Sequence, residues 1–138
     1  MKLSTKSRYG ARILMELARR KGDGPVQVSE IFDKQKIPVK YLEQIIRMLR
    51  EAGFINSFRG AKGGHIIAKD PGKITLGEIV RLLEGQKDLV ECISLPESCD
   101  MSDECRIRLA WKEAADALFK KLDNITIKKI LNNKSYTP

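Results

Sequence analysis

The chain has a single histidine, His65, and no nucleophile or acid is placed to work with it. No Cys-x-x-Cys pair occurs, and no Gly-x-x-x-x-Gly-Lys-Ser/Thr loop opens a helix. These absences argue against acid–base, dithiol or nucleotide-hydrolysing enzymes. No run of about 18 apolar residues exists, so a membrane-spanning helix is excluded. The opening Met1-Lys2-Leu3-Ser4-Thr5-Lys6 leads into a charged segment without an apolar stretch, and a cytoplasmic location is expected. There is no internal repeat and no low-complexity tract.

What is present is a basic, core-forming chain of 138 residues, 42% hydrophobic and 32% charged, with a formal net charge of +8. Such a composition buries a real core and is not that of a disordered chain. The charge is uneven. Residues 1–85 hold 17 Lys+Arg against 9 Asp+Glu, whereas residues 86–138 hold 9 of each. Residues 91–105 carry Glu91, Glu97, Asp100, Asp103 and Glu104 and no basic residue, and all three cysteines fall there. A basic module joined to an acidic, cysteine-bearing segment points to a polyanion binder with an attachment. A basic surface kept for solubility is the other reading of the charge. The expected division is 1–85 for binding and 86–138 for the attachment.

Periodicity predicts a helix over 5–20, with Tyr9, Ile13, Leu14, Leu17 and Ala18 on its inner face. Gly22-Asp23-Gly24-Pro25 breaks the chain. Ser29 is expected to cap a short second helix that turns Ile31 and Phe32 inward. Pro38 suits the start of a third helix, whose Leu42, Ile45, Ile46 and Leu49 form an i, i+3, i+4, i+7 stripe and which ends at Gly53. Two β-rich runs, 54–58 and 65–68, flank Arg59-Gly60-Ala61-Lys62-Gly63-Gly64 and predict a hairpin with a basic, glycine-rich tip. Thr75 and Glu78 have capping-box spacing for a helix carrying Ile79, Val80, Leu82 and Leu83 and closed by Gly85. Residues 86–105 read as an irregular loop. A long helix is expected from Arg106 to about Asp123, with Ile107, Trp111, Ala114, Ala115, Leu118 and Leu122 on one face. Thr126 is expected to cap a last short helix, and the tail Asn132–Pro138 to fray.

Three short helices followed by a two-stranded hairpin make a winged helix-turn-helix. The fold class expected is therefore mainly α, with a two-stranded wing and a long C-terminal dimerisation helix. The third helix would lie in the major groove of DNA. Lys40, Glu43, Gln44, Arg47 and Glu51 share its polar face. Gln44 suits adenine and Arg47 guanine through paired hydrogen bonds, or either holds phosphate. Tyr41 lies where a phenol reaches a phosphate. In the wing, Arg59 and Lys62 put cations near a minor groove, the glycines, Gly64 among them, let backbone approach DNA, and His65 either contacts phosphate or packs at the strand start. Ordinary solvated residues on an amphipathic helix and a plain surface turn remain the alternatives.

At this point the sequence resembles the bacterial winged-helix regulators of the IscR/NsrR/CymR family over nearly its whole length. The resemblance is carried by Lys2-Leu3-Ser4-Thr5-Lys6-Ser7-Arg8-Tyr9, by Ile37-Pro38-Val39-Lys40-Tyr41-Leu42-Glu43-Gln44-Ile45-Ile46, by Leu49-Arg50-Glu51-Ala52-Gly53-Phe54 and by the wing Ser57–His65. His65 departs from the tyrosine usual after the paired wing glycines. The resemblance implies a homodimeric DNA-binding transcriptional regulator that recognises an inverted repeat. It is not expected to be an enzyme.

Cys92-x6-Cys99-x5-Cys105 is the second constellation. Three thiols cannot all pair within one chain, and their spacing is wider than zinc sites use. Loop-borne thiolates suit an iron–sulfur cluster. The family resemblance implies the same, and the expected group is [2Fe–2S] held by these three cysteines. Members of the family differ in the fourth ligand. The IscR type has a histidine three residues after the last cysteine, where this chain has Arg108. The NsrR type has an acid near the start of the first helix, where it has Arg8. Glu91, Asp100, Ser102, Asp103, Glu104 or an external ligand remain. Reversible thiol chemistry without a cluster, an inert or zinc-bound loop, and control by a partner protein or small ligand are the competing readings.

Overall fold

Helix α1 (Thr5–Arg19) turns Ile13, Leu14 and Leu17 wholly inward, each at most 1% exposed. Burying such a side chain stabilises a fold by about 1.5–3 kcal/mol. The computed structural model describes residues 2–85 and 88–138; Met1 and the start of the expected loop at Gln86 and Lys87 lie outside the described residues. Gly10 sits where a Cβ would overlap Leu83, so its missing side chain lets α1 pack closely on α4 (Leu76–Glu84).

Helix α2 spans Val28–Gln35 and begins two residues earlier than a Ser29 cap would place it. Gln27, not Ser29, precedes it, and Glu30 reaches back to the Gln27 N–H at 3.1 Å. Ile31 is buried, but Phe32 is 39% exposed, against expectation. Adjacent residues on a helix lie about 100° apart, and a helix of little more than two turns presents one narrow stripe to the core.

Lys36, in the left-handed conformation at φ 53°, and buried Ile37 make the turn into α3 (Val39–Glu51). Leu42, Ile45, Ile46 and Leu49 are buried along α3 as the stripe predicts, and Gly53 follows its end at φ 81°. A polar network holds this turn to α1. The Gln35 side chain donates to Glu16 at 3.0 Å and accepts from Arg12 at 3.1 Å, and Arg12 also donates to the Gln35 carbonyl.

Strands β1 (Ile55–Phe58) and β2 (Gly64–Ile67) pair antiparallel, with Ser57 opposite His65. The segment before α2 joins them. Val26 and His65 exchange both backbone hydrogen bonds, at 2.8 and 2.9 Å, so the wing carries one residue of a third strand. The paired glycines have separate reasons. A Cβ on Gly63 would collide with the Phe58 carbonyl, and one on Gly64, at φ 146°, would lie 2.6 Å from the Val26 carbonyl oxygen.

Thr75 and Glu78 form the expected capping box of α4. The segment expected to be an irregular loop contains a one-turn helix α5 (Glu91–Ser94) and a 3-10 turn at Pro96–Ser98. Glu91 in the first turn of α5 and Pro96 at the start of the 3-10 turn favour these local structures, which are too short to register as periodicity. Helix α6 runs Arg106–Asp123. Arg81 of α4 meets Asp123 through two 2.7 Å hydrogen bonds and covers the Phe119 ring. That pairing holds the Asp123 carboxyl below the usual carboxylate range. Thr126 caps α7 (Ile127–Asn132), whose Ile127 is fully buried in the same cluster as Ile13 and Ile74. The tail is more ordered than expected: Asn133 accepts the Ser135 N–H at 2.9 Å in a 3-10 turn over Lys134–Tyr136.

Candidate nucleic-acid interface and thiol segment

The polar side of α3 is set by its apolar side. Because Leu42, Ile45, Ile46 and Leu49 face the core, Lys40, Glu43, Gln44 and Arg47 are left exposed. These four line one groove of about 510 Å³ with Arg50 and His65. Helix and wing base therefore share a single concave surface. Arg50 was not singled out by motif, although its spacing of three from Arg47 places it beside that residue on the helix.

The wing tip carries Arg59 and Lys62, both exposed, beyond this groove. Gln27 steadies the tip through a 3.4 Å hydrogen bond to the Ala61 carbonyl. Among the described residues no ion pair engages Lys40, Arg47, Arg50, Arg59 or Lys62. Cations without acidic partners are the groups a phosphate backbone uses. Gly64 lies behind this surface, against Val26. Tyr41 stands apart from Gln44 and Arg47: its ring packs edge-on to Tyr9, with centroids 6.2 Å apart, and it borders a second hollow with Ser4, Thr5 and Lys6.

His65 is half-buried, and its Nδ1 lies 2.7 Å from Ser57 Oγ. Burial, with Arg50 close by, pushes its pKa below the ordinary histidine value. Both effects favour the uncharged ring, which offers hydrogen bonding rather than a positive charge.

In the thiol segment, Cys92 sits on α5, Cys99 is exposed after the 3-10 turn, and Cys105 caps α6. Cys105 Sγ accepts the Arg108 N–H at 3.4 Å, and Arg108 Nε donates to the Cys92 carbonyl at 2.7 Å. One residue in the first turn of α6 thus holds two of the three cysteine positions. Among the described residues no three His, Cys, Asp or Glu side chains are gathered as a metal ion requires. Glu91, Asp100, Asp103 and Glu104 are exposed. Ser102 is 6% exposed, and its Oγ is buried without a hydrogen-bond partner among the described residues. Cys92, Cys99 and Cys105 are the soft donors that an iron–sulfur group takes, but among the described residues they are not gathered into a site.

On α6, Ile107, Leu109 and Trp111 are 62%, 64% and 48% exposed. No helix among the described residues is long and apolar enough to cross a membrane.

Comparison with known proteins agrees with this architecture. Residues 3–133 match the family described as "Rrf2: Iron-dependent Transcriptional regulator". Protein rrf2 of Nitratidesulfovibrio vulgaris is 40% identical over 138 residues, all of this chain and 92% of that protein. Among solved structures, CymR, the global cysteine regulator of Bacillus subtilis, superposes with a TM-score of 0.79 at 37% identity, covering 100% of this chain and 99% of that one. IscR of T. potens superposes with a TM-score of 0.75 at 34% identity, covering 100% and 93%.

Proposed function

The chain belongs to the Rrf2 family of transcriptional regulators, and from that premise we propose that it reads an operator with α3 and the wing under control of its cysteine segment. The observation that carries the reading is the groove shared by Lys40, Glu43, Gln44, Arg47 and His65, whose cations no ion pair engages among the described residues, continued by Arg59 and Lys62 at the tip. Gln44 and Arg47 read bases; Arg59 and Lys62 hold phosphates. Footprinting and binding titrations separate the two roles. Arg47→Ala or Gln44→Ala is expected to lose about 1–3 kcal/mol of discrimination between cognate and altered sites. Arg59→Ala or Lys62→Ala is expected to weaken all sequences alike and to reduce the log–log salt slope by about 0.9 each. Equal losses on random and cognate DNA for Gln44→Ala would reject its assignment as a base reader.

The protein acts as a homodimer through α6. Exposed Ile107 and Trp111, one helical turn apart, supply an apolar strip for a second copy, and a two-fold axis there would set two recognition helices on successive major grooves of an inverted repeat. Trp111→Asp is expected to shift sedimentation from dimer to monomer at micromolar concentration and to cost operator binding. A dimer that survives with unchanged affinity would remove α6 from the interface. As a DNA-binding regulator it would work in the cytoplasm.

Control is assigned to Cys92, Cys99 and Cys105, which would hold a [2Fe–2S] cluster. Such a group supplies a reversible change of charge and oxidation state. The chain's own contribution is Arg108, which links the Cys92 carbonyl to the N-terminus of α6 and so couples the thiol segment to the dimer helix. Operator affinity is expected to differ between iron-loaded and iron-free protein. The thiols stand apart in the described residues, and that observation favours a second reading, in which a partner protein or small ligand controls the same regulator. Under it, replacing all three cysteines with alanine leaves regulation intact.

A further inference from the structure

A further hollow, of about 560 Å³, shares only His65 with the operator groove. The end of α1, the turn after it and the wing form it, and its apolar walls are Leu17, Pro25, Val26, Phe58, Ile66 and Ile67. Hollows of this size and make, with a few polar groups, are where proteins take small molecules. Phe58 is 51% exposed, so the core does not account for it, and it does not line the operator groove. An exposed ring on an apolar wall is a surface for another apolar body. The charged residues of the lining are Arg20 and Lys21, and no acidic residue is among them. A cation suits the C-terminal end of any helix, and Arg20 is held there by Asp23 at 4.0 Å and Glu30 at 3.6 Å. Lys21 is exposed and enters no ion pair among the described residues. Asp70 feels its charge but is shared with Lys73 and Lys128. An apolar wall beside an unengaged cation complements an apolar body that carries one negative charge.

We propose that this hollow binds a small apolar carboxylate, its body against Phe58, Ile66 and Pro25 and its charge met by Lys21, and that occupancy changes operator affinity through the wing. Two wall residues make the link. Val26 and His65 exchange both backbone hydrogen bonds, and His65 is also part of the operator groove. A ligand seated against this pair bears on the contact that fixes the base of the wing. The control half rests on the reading of α3 and the wing as the DNA surface and supplies the small ligand that the second reading calls for; the binding half stands without it.

The test titrates the full-length protein with phenylpropionate and with its neutral amide, phenylpropionamide, by calorimetry and amide NMR. Wild type, Lys21→Gln and Phe58→Ala are compared; thermal unfolding checks that each folds, and sedimentation follows their assembly. Phenylpropionate is expected to bind wild type saturably, to shift the amide signals of the hollow's residues, and to bind about tenfold tighter than the amide. Lys21→Gln should remove that preference and leave binding of the amide unchanged, whereas Phe58→Ala should weaken both. Saturating wild type should change operator affinity about fivefold or more, and the same concentration should change it less in Phe58→Ala. No saturable uptake, or equal affinity of wild type for acid and amide, would overturn the site. A shift from dimer to monomer in either variant would assign the hollow to a second copy and overturn it as well. Saturable uptake with unchanged operator affinity would overturn the control half alone. A wild type that discriminates no operator, with or without the probe, would instead sink the DNA reading and leave the site standing.

Discussion

Gly64→Ala is expected to release the wing from the body of the protein and to cut specific DNA affinity by about tenfold, equivalent to about 1.4 kcal/mol. Two penalties coincide at this position. The backbone is at φ 146°, where a side chain is strained, and the new Cβ would stand 2.6 Å from the Val26 carbonyl oxygen that accepts the His65 N–H. Relieving the clash means giving up the Val26–His65 pairing, and His65 then leaves the groove it shares with Gln44 and Arg47. Strain of this kind costs about 1–3 kcal/mol, so the hydrophobic core survives. Gly60→Ala is the control: at φ 104° it is strained, but no atom lies within 4 Å of the added carbon. Limited proteolysis of the wing and titration of a cognate site measure both effects. Comparable DNA affinity for wild type and Gly64→Ala would show that the Val26 pairing does not set the wing.

The second large effect is expected at Glu16. This carboxylate is 1% exposed in the last turn of α1, accepts from Arg19 at 2.7 and 2.9 Å, and receives the Gln35 amide at 3.0 Å. Removing it leaves the Gln35 amide buried without an acceptor at the end of α2, next to the left-handed Lys36. Glu16→Ala is expected to lose about 2–4 kcal/mol of stability, because the cost of an orphaned buried donor adds to the lost ion pair. The thermal midpoint would fall by roughly 5–15 °C. Glu16→Gln keeps one acceptor for Gln35 and should lose less. Because Gln35 also takes Arg12 on its other side, the helix-turn-helix angle and DNA affinity should weaken with the first variant. A loss below about 1 kcal/mol for Glu16→Ala would mean that the network adds nothing beyond the surrounding apolar packing.

Much of this was legible in the residues. The stripe of α3, the Thr75–Glu78 capping box and the glycine-rich turn between β-rich runs are local signals, and each led to the element observed, whereas the cap of α2 lies at Gln27 and not at Ser29. Phe32 was misjudged because a short helix gives too few turns for periodicity to choose between neighbours. The Val26–His65 pairing is one residue long and joins positions distant in sequence, so no pattern announces it. Thr126 marked the start of α7, but nothing local says that Ile127 returns to the cluster around Ile13. At the interface, spacing grouped Lys40, Glu43, Gln44, Arg47 and Glu51; the first four line one groove and Glu51 does not, whereas Tyr41 turns toward α1 through its contact with Tyr9. The burial of Ser102 was invisible, since a serine in an acidic turn reads as a solvated residue until its surroundings are known.

The pairing of Val26 with His65, together with the bond from Gln27 to Ala61, makes the wing and the start of α2 one mechanical piece. A wing so fastened does not flap on its own; it travels with the recognition helix. In the proposed dimer the adjustable quantity is then the angular phase between two stiff reading heads. DNA advances by about 10–10.5 base pairs per turn, so each base pair in the spacer rotates one half-site by about 35° relative to the other. An operator carrying one extra central base pair would therefore act as a protractor for the regulator: the state of the thiol segment that binds it better is the state in which the heads have turned by that amount.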